Sequence, residues 1–136
     1  MKKDIKIPKV EDVSVAVVKE LNDEKTGEIF NVYLLNLKNV RIENVLVSST
    51  GYGQNLETGE SIKTSTLRHF IGTMEPQSYV KIEPIMEEVF GLNNQYWVSF
   101  YEGKQVFDKK FIFLPETIRE ENRVQIPLMG VKGVLI

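Results

Sequence analysis

The sequence predicts an all-β fold, an immunoglobulin- or fibronectin-like antiparallel two-sheet sandwich carrying one or two short helices. Apolar, β-branched and aromatic residues alternate with polar ones at period two along most of the chain. Turn-forming residues interrupt these runs at roughly 8–15-residue intervals. No long amphipathic segment lies between runs to act as the crossover helix of a parallel sheet. A small barrel is the alternative closure. The 136 residues have the length of one domain, taken as 1–136. A chain of that size buries about 70% of its unfolded surface.

The first strand covers residues 13–18, with Val13, Val15 and Val17 on one face. Residues 22–27 are turn chemistry, residues that bond their own backbone followed by Gly27. A strongly apolar second strand spans 29–37 and a third 45–49. Residues 51–60 contain Gly51, Gly53 and Gly59 and read as a long loop or hairpin tip. Residues 62–70 form a Thr-rich fourth strand, and 78–83 alternate until Pro84, which has no amide hydrogen to donate to a ladder. Residues 86–91 suggest one helical turn closed by Gly91. The clearest signal is a hairpin of 95–101 and 105–114 around Glu102-Gly103-Lys104, aromatic on both arms. Pro115 followed by acidic residues opens a second short helix over 115–121.

Seventeen Lys plus Arg against 19 Asp plus Glu give a net charge of −2, which disfavours nucleic acid as a partner. With no cysteine and a single histidine, His69, no thiolate or His-rich metal site can be built, and no cofactor is expected. Gly51-x-Gly53 lacks the third glycine and the following helix of a dinucleotide signature. Glu57, Glu60, Glu83, Glu87 and Glu88 lack the spacing of a calcium loop and read as solvated charge. No apolar run approaches the ~18 residues of a membrane span. Lys2 and Lys3 could open a signal peptide, but Asp4, Lys6, Pro8 and Lys9 interrupt its apolar core, so a cytoplasmic location is expected. The chain ends on Val134-Leu135-Ile136, an apolar tail expected to pair with a sheet or a partner.

Two stretches offer candidate function. Ser65 and His69 share one face if their segment is extended, but lie about 13 Å apart, beyond the roughly 3 Å contact of a nucleophile and its base. No catalytic residue is assigned there. Arg68 and His69 remain as a binding patch. In the hairpin, Trp97, Ser99 and Tyr101 oppose Tyr96, Val98 and Phe100. Either face can be the core; if Trp97 and Tyr101 point outward they mark a recognition surface.

Residues 63–70, 81–84, 90–101 and 108–116, with Pro127-Leu128 and Lys132-Gly133-Val134, resemble a small family of Bacteroidetes proteins sometimes labelled phenylalanyl-tRNA synthetase alpha subunit. That label implies an ATP-dependent aminoacylating ligase. Its Phe-Arg-x-Glu motif is missing, since none of the seven phenylalanines precedes an arginine, and no catalytic residue is carried over. The expected function is a non-enzymatic binding or structural module, with an unknown protein partner or self-association through the C-terminal segment. A translation-associated accessory protein and a carboxylate-based hydrolase are the alternatives.

Overall fold

Ten strands and two short 3-10 turns are present among residues 8–136, which the computed structural model describes. The N-terminal residues 1–7, on which the reading of a missing signal core largely rests, lie outside them. The strands are β1 (Val13–Leu21), β2 (Glu28–Asn36), β3 (Ile42–Gln54), β4 (Ser61–Lys63), β5 (Leu67–Met74), β6 (Ser78–Ile85), β7 (Asn93–Glu102), β8 (Gln105–Phe113), β9 (Val124–Gln125) and β10 (Lys132–Leu135). One sheet has the order β6-β2-β1-β10-β9. In the other, β4 and β5 share one flank of β3, followed by β7 and β8. All pairings are antiparallel. The two sheets stack as an all-β sandwich.

The main core lies between the sheets. Val15, Val17, Val32 and Leu34 of the first sheet meet Val45, Val47, Tyr96, Val98, Phe100, Phe111 and Phe113 of the second. Period two places their neighbours on the outer faces, and there the two sheets differ. Outside the first sheet, Ala16, Val18, Tyr33 and Leu35 form a second buried cluster under Ile126 and Met129. This double burial explains why β1 and β2 run nearly continuously apolar instead of alternating. No chain segment forms a comparable cluster over the second sheet among the described residues.

The C-terminal tail is consumed within the chain. β10 pairs with β1 (Val17 opposite Val134) and with β9, and Ile136 exchanges backbone hydrogen bonds with Val15. Gly133 is required by this close approach, since a Cβ there would lie 2.5 Å from the Val17 carbonyl oxygen. The passage from β5 to β6, which changes sheets, is clamped by Asn36. Its buried amide donates to the carbonyls of Val40 and Glu75 at 3.1 and 2.9 Å.

Several elements depart from the sequence reading. The helix expected at 86–91 is a single 3-10 turn, Glu87–Val89. Of the one expected at 115–121 only the end is helical, in the 3-10 turn Glu120–Asn122, because Pro115-Glu116 form a turn with Glu116 at φ +61°. The fourth strand is two, β4 and β5, separated at residues 64–66. Gly51 and Gly53 belong to β3, not to a loop: Leu92 and Thr64 cover that strand end so closely that Cβ atoms would approach within 3.0–3.2 Å. Pro84 is inside β6 and is tolerated because β6 is an edge strand.

Gly133→Ala should destabilise the protein by about 3 kcal/mol, because the clash is with backbone and cannot be relieved by a rotamer change. Deleting Val134 to Ile136 should cost at least as much; thermal melts of both variants test this, and an unchanged melting temperature would mean that β10 contributes nothing.

Candidate functional site

The outer face of the second sheet carries an unusual set of side chains. Register places Arg68, Ser48, Trp97 and Lys110 side by side in one row across β5, β3, β7 and β8. The next row is Phe70, Leu46, Ser99 and Asp108, and beyond it Tyr101 pairs with Val106. Phe70 is 71% exposed, Trp97 44% and Tyr101 40%, and Leu46 and Val106 are also exposed. Neighbours on such a face are about 5 Å apart across strands and about 7 Å along them, so the five form one patch. A hollow of about 220 Å³ opens among Leu46, Ser48, Trp97, Ser99 and Asp108. The Lys110 ammonium sits 4.6 Å from the Trp97 ring centroid.

A polar cluster lies on the inner side. β6 bulges between the residues opposite Val32 and Tyr33, so that Ile82 and Glu83 both turn toward the second sheet. The Glu83 carboxylate accepts hydrogen bonds from Ser49 Oγ (2.7 Å) and Tyr96 OH (3.3 Å), and its Oε1 lies 2.6 Å from His69 Nε2. Ser49 and Tyr96 are buried. Burial, followed by the negative charge of Glu83, pushes the Tyr96 phenol well above the usual tyrosine range. Tyr33 is raised as well, by burial and by its hydrogen bond to Glu20. The cluster borders a cleft of about 340 Å³ with Leu67, Ile85 and Met86 among its walls.

This arrangement ties the sheets together. Ser49 and His69 both address Glu83, so no base faces the serine other than the carboxylate the histidine also occupies. Ser65, the hydroxyl singled out in the sequence, makes no hydrogen bond to His69, whose side-chain partner is Glu83. Glu83 is the single carboxylate lining the cleft, whereas a carboxylate-pair hydrolase needs two. No buried side-chain polar atom among the described residues lacks a partner, so no orphaned group waits for a ligand. Nor do three of His, Asp or Glu come together as metal ligands among those residues.

The four sequence candidates therefore divide. Arg68, Trp97 and Tyr101 share the outer face, while His69 points inward, as adjacent strand residues must. Phe70, Leu46, Asp108 and Lys110 complete the outer patch and were legible only once the strands were in register. Glu83, read from the sequence as solvated charge, is instead turned inward and hydrogen-bonded, because a bulge that no sequence pattern announces reverses its face. Comparisons with protein-family models, curated proteins and solved structures found no match to this chain.

Glu83→Ala leaves two buried hydroxyls without an acceptor and should cost about 3 kcal/mol in urea unfolding. Stability should also fall as the solution becomes more alkaline than about pH 10. The unfolded chain then loses its tyrosine protons while Tyr96 and Tyr33 keep theirs, so proton release favours unfolding. Urea midpoints measured across that range check this, with Tyr96→Phe expected to flatten the decline.

Proposed function

We propose that the protein is a non-enzymatic interaction module that docks on another protein surface through the outer face of its second sheet. The observation that carries this reading is the contrast between the two outer faces. The chain covers the apolar outer face of its first sheet with Ile126 and Met129, yet leaves Phe70, Leu46, Trp97, Tyr101 and Val106 in solvent. Exposed apolar residues scattered singly are ordinary, but a contiguous patch of them marks a contact surface. Tryptophan, tyrosine and arginine are also the residue types that dominate binding energy at protein interfaces.

A protein partner fits better than a nucleic acid or a sugar. The net charge of −2 offers no phosphate-attracting field. Lys110 already occupies one face of the Trp97 ring, the position a stacked base or sugar would take. No helix among the described residues is long and apolar enough to cross a membrane. A cytoplasmic setting is part of the proposal and is supported by the cysteine-free composition, which suits a reducing compartment. The fibronectin-like assignment belongs here too. β1, β2 and β6 stand as the A, B and E strands of an immunoglobulin-type sandwich and β3, β7 and β8 as its C, F and G, with β5 moved beside β3.

Site-specific photocrosslinking in the native cell tests the reading. A crosslinking side chain at position 97 or 101 should give discrete protein adducts, and one at Leu56, fully exposed but isolated, should give none. Trp97→Ala should leave the melting temperature nearly unchanged, within about 0.5 kcal/mol, as expected of a side chain not used for folding. Absence of adducts at 97 and 101 would end the proposal, and retention on tRNA that collapses with added salt would redirect it to nucleic acid.

A further inference from the structure

Building on that reading, we infer that the partner is a second copy of this chain, packed face to face through its second sheet in a two-fold dimer. The face is self-complementary. A two-fold axis lying in the interface and crossing the strands between the Trp97 row and the Ser99 row sets each residue of one row over its same-strand neighbour in the other. On β8, Lys110 then opposes Asp108 of the other copy, an exposed pair of opposite charge occurring twice. On β7 the large Trp97 opposes the small Ser99, above the 220 Å³ hollow that Ser99 and Leu46 help to line. On β3 Leu46 opposes Ser48, and on β5 the Arg68 guanidinium meets the exposed Phe70 ring.

The alternation of large and small residues makes knob meet hole, and the charges select the axis. An axis parallel to the strands, between β3 and β7, would also set Trp97 over a serine. It would place Arg68 over Lys110 and Phe70 over Asp108, repelling in one corner and burying a lone carboxylate in the other. Asp108 makes no ion pair with any described residue of its own chain, which leaves it available to the other copy. Packed sheets cross at about −30°, so these pairings hold best at the middle of the patch, on β3 and β7, where Leu46, Ser48, Trp97 and Ser99 sit. The footprint is about 20 by 20 Å, at the small end for a specific interface, and a dissociation constant in the micromolar range is expected.

Sedimentation velocity of the full chain, from about 1 to several hundred micromolar, is the test. Wild type should shift from monomer to dimer with concentration. Trp97→Ala and Ser99→Trp, which remove the knob and fill the hole, should each raise the dissociation constant about 30-fold or more. Lys110→Asp alone and Asp108→Lys alone should both stay monomeric, and an equimolar mixture of the two should form a heterodimer, because the opposed columns are then wholly acidic and wholly basic. That mixing experiment also guards against misfolding, since an unfolded variant would not be rescued. A wild type monomeric at every concentration, or a dimer indifferent to these substitutions, overturns the inference. Adducts from position 97 to a different protein, with a monomeric chain, would sink the dimer while leaving the interaction module standing; absence of both would sink the two together.

Discussion

Each β-strand sends alternate side chains to opposite faces, so a sheet with apolar residues at successive positions needs two covers. The architecture follows from how this chain meets that demand. β1 and β2 are apolar at nearly every position, and the chain supplies both covers: the second sheet on one side, Ile126 and Met129 on the other. The cover must be anchored, and β9 and β10 anchor it by entering the first sheet on either side of it. Gly133 is the point where that anchoring strand comes too close to β1 for any side chain. The terminal residues therefore serve as the lock on the outer cluster.

The relation between the sheets is fixed at the opposite edge by chemistry of another kind. Glu83 reaches from β6 to hydroxyls on β3 and β7 and to the imidazole on β5. A carboxylate in that position is tolerable because the buried polar groups around it, among the described residues, all have partners. With apolar packing at the centre and a hydrogen-bonded tie at the edge, the second sheet is held firmly from beneath, and its outer face becomes a fixed surface.

Legibility in the sequence tracked the physics. Period-two alternation identified β6, β7 and β8 because burial on one face imposes it, while unbroken β-branched and apolar runs marked β1 and β2, which are buried on both. The aromatic hairpin placed Trp97 and Tyr101 together for the same reason. Three kinds of feature were hidden. The apolar tail is expected to pair with a sheet or a partner, but nothing in the four-residue β10 identifies its pairing strand as β1, over a hundred residues earlier in the chain. Gly51 and Gly53 imitate loop chemistry because their small size serves the approach of Leu92, a contact without local signature. The inward turn of Glu83 depends on a bulge, which shifts alternation by one residue and so inverts any face assignment made beyond it. Arg68 and His69 were grouped by adjacency, yet adjacency in a strand is what separates them.

Sheet edges bear on how such a molecule can associate at all. Unpaired strands invite edge-to-edge addition, and each edge here is obstructed. β6 carries Pro84, β9 has two residues, β4 has three, and β8 presents Asp108, Lys109 and Lys110 in succession. On β5 the bulge opposite Val45, with Gly72 at φ +88°, breaks the ladder soon after Phe70. Strand addition is thus discouraged while the outer face of the second sheet is left largely apolar, with Arg68 and Lys110 in one row and Asp108 in the next. A surface that merely lacked polar residues would not show that order. On β3 and β7 each large side chain has a small one beside it along the strand, and on β8 opposite charges lie two residues apart, so the features of the face fall into register with themselves under rotation. That symmetry is a property of one chain's residues, and it is what a surface built to meet its own copy requires.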